Sequence, residues 1–249
     1  MRAGISLLHV EEHPGREPCT VWLHHGVGST RAWDAFVPAI VGGRRALTYD
    51  RRGFGQSPHG RRFTTAMFDE DVDDLRTLLD ERGRGPVHLI GHSDGGTVAL
   101  LLAARSPALV ASVAVVAVHV RGDAATVATL RRMGPPPAWP ETMQRSLRRA
   151  HGADWADVAG GWHELWTSPA WADWSIAGEL PAIRCPVLAV HGTHDSLAPA
   201  LHVETLLNAL PGTRVTWVDT STHDPHRVAP QQFADGLHAI WKRCEGVDG

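Results

Sequence analysis

Gly91-His92-Ser93-Asp94-Gly95-Gly96 is the stretch on which the fold turns. It follows an apolar, β-branched run, Pro86-Val87-His88-Leu89-Ile90, and opens a helical run over residues 97–105. Gly-x-Ser-x-Gly between a strand and a helix is the setting of a nucleophile elbow. A serine on so sharp a turn sits in strained backbone, and glycine neighbours avoid the clashes. The turn lifts the Ser93 hydroxyl clear of the sheet and aims the helix N-terminus at it. That partial positive charge favours the negative charge that develops in acyl transfer. Standing alone, the same residues also read as a glycine-rich turn with a serine N-cap.

On the N-terminal side, residues 5–12 read as a strand turning at His13-Pro14-Gly15, and residues 19–24 as a second, more apolar one. His25-Gly26-Val27-Gly28-Ser29-Thr30 follows, then a helix carrying Trp33 and Phe36. The glycines allow a tight turn, and Ser29 or Thr30 caps the helix. A backbone N–H left free in such a loop can form half of an oxyanion hole, with Val27 the best candidate; a plain β–α connection explains the same residues. Residues 45–49 form a third strand, and the following segment, residues 50–57, reads as a structural loop without chemistry. Val72, Leu75, Leu78 and Leu79 have helical spacing over residues 67–82. Asp69, Glu70 and Asp71 in the first turn complement the helix dipole, as a solvated helix start and not a metal site.

On the C-terminal side, residues 109–120 read as another buried strand, so strands and helices alternate from Cys19 onward. Such alternation means a mostly parallel sheet with helices on both faces. It stops over residues 121–183, where two helical stretches flank Pro135-Pro136-Pro137 and Trp139, Trp155, Trp162, Trp166, Trp171 and Trp174 gather. Trp155, Trp162 and Trp166 share one helix face. They read as the core of a helical insertion or, for some of them, as the lining of an apolar pocket above Ser93.

The sheet resumes over residues 186–191 and runs into Gly192-Thr193-His194-Asp195. A helix over residues 200–210, a strand over 214–219, the segment Thr222-His223-Asp224-Pro225-His226-Arg227 and a closing helix complete the chain. Ser93, Asp195 and His223 each lie just past a strand end, on the edge where open sheets bind ligands, in the order Ser, Asp, His. Asp123 also follows a strand and is the second candidate for the acid, with a less complete sequence context. His191-x-x-His194 with Asp195, and His223-x-x-His226, have ligand-like spacing but lack the His-Glu-x-x-His form on a helix, so no metal is assigned.

Together these segments resemble the α/β-hydrolase superfamily over nearly the whole chain. HHGVGST is similar to its oxyanion loop, DRRGFGQS to the loop after the next strand, GHSDGG to the elbow, HGTHDSLAP to the acid loop and THDPHRVAPQQF to the histidine loop. The last match selects His223 over His226. The first strand of the usual N-terminal hairpin is missing. The resemblance implies an α/β core, residues 1–120 and 184–249, whose central sheet is mostly parallel with helices on both faces, plus a helical cap over residues 121–183.

It also implies a catalytic set: Ser93 as nucleophile, His223 as base, Asp195 as its orienting acid, and the Val27 and Asp94 N–H groups as oxyanion donors. His25, Asp94, Trp162 and Trp166 are the candidate substrate contacts, and no cofactor is implied. The substrate expected is a small ester, thioester, lactone or activated amide. Acyl transfer, C–C cleavage and a non-catalytic small-molecule receptor are the alternatives. Through Ser93-Asp94-Gly95-Gly96 the elbow is locally similar to that of the valacyclovir hydrolases, where the aspartate takes the substrate's α-amino group. A carboxylate there is otherwise unfavourable: at about 6 Å and an effective dielectric near 20 it repels an oxyanion by roughly 3 kcal/mol. It must be neutralised, turn away and pair locally, or meet a cation.

Bulk properties agree with this reading. At 249 residues the chain can bury one large core, and its net charge of −3, with signs interspersed, points to neither nucleic acid nor an anionic membrane. Three distant cysteines suggest reduced thiols in a cytoplasm. There is no charged-then-apolar leader and no apolar run near ~18 residues. A monomer or homodimer is expected.

Overall fold

The structure is a computed structural model and describes residues 7–246. Among them one seven-stranded sheet has the order β1-β3-β2-β4-β5-β6-β7. The strands are β1 (Val10–His13), β2 (Arg16–Leu23), β3 (Arg44–Tyr49), β4 (Val87–His92), β5 (Val110–Val116), β6 (Val187–Gly192) and β7 (Arg214–Val218). Only the β1–β3 pair is antiparallel. Residues 5 and 6 of the first expected strand lie outside the described residues, and pairing starts at Val10.

The apolar runs are long because both faces of the sheet are covered. Val21, Leu23, Leu89, Val113 and Val115 join the core beneath α2 (Met67–Glu81) and α3 (Asp94–Arg105). Trp22, Ile90, Ala114 and Val116 alternate onto the other face, under α1 (Val37–Ile40) and, near the chain's end, the long helix Pro230–Cys244. β4 is the central strand. The chain builds β3 to one side of β2 and continues through β4 to the other, so the loops after β2 and β4 meet at a topological switch point, where open α/β sheets bind ligands.

Several local expectations are corrected. The strand expected over 109–120 is shorter and ends at Val116, where Ala117 takes φ 47°. The helix after β2 breaks into a 3-10 turn, Thr30–Trp33, and the single turn of α1. Ser29 makes no capping bond; the Thr30 N–H is taken by Asp50 Oδ1 at 2.6 Å, from the loop after β3. Asp71 is buried and not solvated.

Between β5 and β6 stand α4 (Ala124–Met133), α5 (Glu141–His151), α6 (Trp155–Trp166) and α7 (Pro169–Ala172). The entry and exit of this insertion are pinned together: Gly122 donates to Trp174 O at 2.7 Å and Ile176 to Val120 O at 2.9 Å. Its tryptophans form a stack. Trp162–Trp166, Trp166–Trp171 and Trp171–Trp174 have ring centroids 4.8, 3.8 and 4.6 Å apart, and Trp174 rests on Phe68 of α2 at 4.7 Å. Trp155 lies outside the stack, beneath the Arg148 guanidinium. After β6 come α8 (Leu201–Ala209), α9 (Pro225–Val228) and α10 (Pro230–Cys244). No helix among the described residues is long and apolar enough to cross a membrane, and all three cysteines are free thiols.

Candidate active site

Ser93 follows the central strand with φ 52° and ψ −119°, in the left-handed region that side-chain-bearing residues avoid. The position is over-determined. Its N–H is held by Val116 O at 2.8 Å, and α3 starts so close to the sheet that a Cβ on Gly95 would stand 2.6 Å from His24 O. A Cβ on Gly91 would run into the backbone of Gly95. Only glycines permit this approach, which is why the strain persists.

On the same sheet edge, the His223 Nδ1–H donates to Asp195 Oδ2 at 2.7 Å. Asp195 Oδ1 accepts from the N–H groups of Leu197 and Ala198 at 2.9 and 3.0 Å. Burial alone would raise the Asp195 carboxyl, but the hydrogen bond and charge of His223 and the two N–H donors hold it below the usual value. His223 Nε2 is buried with no partner among the described residues, and no hydrogen bond joins it to Ser93 Oγ. Catalytic bonds often tighten only when substrate is bound. His92, the residue before Ser93, donates Nε2–H to the His223 carbonyl at 2.8 Å and so fixes its backbone. Asp123 is engaged elsewhere: it caps α4 by accepting from Thr126 N at 2.8 Å, and it meets His202 Nε2 at 3.2 Å.

The other side of Ser93 is the loop after β2. Gly28 N–H closes a turn onto His25 O at 3.0 Å, and among the described residues neither Val27 N–H nor Asp94 N–H is hydrogen-bonded. Asp94 is fully buried. Its Oδ2 accepts from Trp162 Nε1 at 3.1 Å and stands 3.9 Å from Arg51 Nη2, while Oδ1 has no hydrogen-bond partner among the described residues. Arg51 also pairs with Asp71 at 2.7 Å, and Asp71 with Arg61 at 2.7 Å. Burial pushes the Asp94 carboxyl up to about 6, against the pull of Arg51 and Trp162.

The α/β hydrolase fold profile matches residues 20–170, more than half of the chain. The chain belongs to the α/β-hydrolase family. It is 27% identical over 207 residues to the serine hydrolase BPHL of Mus musculus, covering 78% of this chain and 67% of that protein. It is also 27% identical over 247 residues to the sn-1-specific diacylglycerol lipase ABHD11 of Mus musculus, covering 88% and 80%. Among solved structures, the enol-lactonase from Burkholderia xenovorans LB400 shares the fold at TM-score 0.71 and 22% identity, over 94% of this chain and 96% of that one. Relatives and fold make this chain an α/β-hydrolase enzyme.

The remaining residues singled out in the sequence divide in this α/β hydrolase. Trp162 lies against the loop after β2, where a Cβ on Gly26 would meet both its indole nitrogen and Asp94 Oδ2. Trp166 sits deeper in the stack, edge-on to His119 at 4.6 Å. His25 packs on His92 at 5.2 Å and lines a cavity of ≈ 450 Å³ with Val27, Leu147, Asp224 and Arg227. Of the ligand-like histidines, His191 Nε2 meets Ala198 O at 2.8 Å and His223 Nδ1 meets Asp195. His92, Asp224 and His226 do bring ligand-capable atoms within 4.8 Å of one another, but Arg227 Nε lies 3.4 Å from Asp224 Oδ1 and supplies the positive charge there.

Two contributors escaped the sequence reading. Arg51, in the loop read as free of chemistry, is the cation that faces Asp94 and also donates to His25 O at 3.1 Å. His151, at the end of α5, contacts the loop of Val27. A buried arginine needs partners, and the acidic first turn of α2 was the one available hint.

Proposed function

We propose that this α/β hydrolase cleaves a small ester, thioester, lactone or activated amide through an acyl-enzyme on Ser93. The Asp195–His223 bond carries the reading. It leaves a buried, unpartnered imidazole nitrogen on the sheet edge where Ser93 is held in strained backbone. His223 Nε2 takes the Ser93 proton as Oγ bonds to the acyl carbon, and Asp195 stabilises the imidazolium. Collapse of the tetrahedral oxyanion breaks the bond to the leaving group, which receives that proton. Water then repeats the sequence and releases the acid. The Val27 and Asp94 N–H groups hold the oxyanion, each worth roughly 3–4 kcal/mol in such sites. The three free thiols suit a reducing compartment such as the cytoplasm.

One observation favours a refinement. Asp94 Oδ1 is buried without a partner, so a substrate ammonium near the scissile carbonyl would satisfy it. The test of the core reading is labelling with a fluorophosphonate probe followed by peptide mapping. Adduct on Ser93, abolished by Ser93→Ala, supports it; labelling that persists in Ser93→Ala overturns it.

A further inference from the structure

Ser93 is 3% exposed, and the ≈ 450 Å³ cavity beside Val27 is lined by neither Ser93 nor His223. Above the sheet edge that carries Ser93 lie α5 and α6. Each holds one of the two residues proposed as oxyanion donors: Trp162 of α6 donates to the Asp94 carboxylate, and His151 of α5 bonds Val27.

His151 is the more consequential tie. Its Nδ1 lies 2.9 Å from the Gly55 nitrogen and its Nε2 2.8 Å from the Val27 carbonyl. A backbone N–H can only donate and a carbonyl only accept, so the ring is neutral, with its proton on Nε2. One imidazole thus bridges the loop after β2 to the loop after β3. The Val27–Gly28 peptide is held at both ends, its oxygen by His151 and its N–H by His25 O at 3.0 Å. Without the imidazole, a peptide segment flanked by Gly26 and Gly28 has little to stop it rotating. Val27 N–H, one peptide earlier, would then lose its aim.

We propose that His151, on α5, is a positioning residue that holds Val27 N–H aimed at the oxyanion. This rests on the acyl-enzyme reading above. A merely structural clamp would not distinguish the two ring nitrogens; this proposal does.

The experiment compares His151→Gln, His151→Asn and His151→Ala. Glutamine keeps a donor near the Nε2 position, and asparagine keeps an acceptor near Nδ1. Expected are kcat within about 3-fold of wild type for His151→Gln, and a fall of about 10–100-fold for His151→Asn and His151→Ala with KM changed less than about 3-fold. A boronic acid that forms the tetrahedral serine adduct should lose affinity in parallel with kcat/KM. Equal kcat for all three variants, a loss in His151→Gln as large as in His151→Asn, or a loss confined to KM or Tm would overturn the proposal. Fluorophosphonate labelling run alongside separates the two failures. Ser93 labelled with kcat unmoved in the His151 variants sinks the positioning role alone, whereas labelling that survives Ser93→Ala sinks the acyl-enzyme reading with it.

Discussion

Arg51 Nη2 stands 3.9 Å from Asp94 Oδ2, and both side chains are fully buried. That relationship answers how a carboxylate can sit beside Ser93: it neither turns to solvent nor stands uncompensated, because a guanidinium shared with Asp71 lies behind it. Removing one partner of a buried ionic set leaves a charge without compensation, at a cost of about 3–5 kcal/mol. Arg51→Met should therefore lower Tm by about 6–20 °C, read by calorimetry. The double variant Arg51→Met/Asp94→Asn should recover part of that loss. A single variant within 2 °C of wild type would show the pair to be energetically idle.

The raised Asp94 carboxyl makes a second expectation with a definite sign. The folded value near 6 exceeds the unfolded value of 3.8, so the folded state binds this proton more tightly between the two. The stabilisation from protonated Asp94 is fully present below about pH 4 and is lost as pH rises through about 6. Relative to Asp94→Asn, wild-type stability should fall by at most about 3 kcal/mol across that window and stay flat above it. Urea unfolding of both proteins from pH 4 to 8 measures the difference. A constant offset would mean that Asp94 titrates normally.

The acid assignment has its own test. Asp195→Asn should cut kcat by several orders of magnitude, since it disturbs the His223 tautomer and charge. Asp123→Asn should leave kcat within a few-fold, with asparagine still able to cap α4. Ser93→Ala and His223→Ala should each be severe, and the double variant little worse than either. The reverse ranking of the two aspartates would move the acid to Asp123.

The two cap tryptophans should separate in one comparison. Trp166 lies inside the stack, 3.8 Å from Trp171, so Trp166→Ala should cost about 3–5 kcal/mol and leave acyl-chain preference alone. Trp162 borders Gly26 and Asp94, so Trp162→Ala should shift the ratio of acetyl to octanoyl ester turnover. Matching effects on stability and an unchanged ratio in both would make both residues cap core.

What could be read in advance follows from where each signal lives. Strands buried on both faces show as unbroken apolar runs such as residues 113–116 and 187–190, and the nucleophile and histidine segments are local motifs. Charges buried through distant partners have no local mark. Arg51 looks like any loop arginine until the fold brings Asp71 and Asp94 against it, and Asp71 looks like a helix-dipole residue until Arg51 and Arg61 enclose it. His151 finds its partners 124 and 96 residues away, so a lone histidine after a cap helix carried no warning. The acceptor of the Thr30 N–H, Asp50, likewise comes from another loop.

The last expectation concerns what Asp94 is for. One of its oxygens is committed to Trp162 Nε1 and faces Arg51; the other is buried and bonded to nothing among the described residues. Arg51 at 3.9 Å compensates the charge but gives this oxygen no hydrogen bond, and a substrate ammonium would supply a charge-assisted one. Asp94→Asn should then lower kcat/KM on aminoacyl esters by about 10-fold or more and leave neutral esters of equal size unchanged or faster. Only the ionised carboxylate attracts the amine strongly, so the wild-type preference should grow as pH rises through about 6 and vanish in Asp94→Asn. Competition between an alanyl ester and its deaminated analogue, followed from pH 5 to 8, reads both effects at once. Equal losses on the two esters would make Asp94 a structural partner of Arg51 and Trp162, and the amine preference would be abandoned.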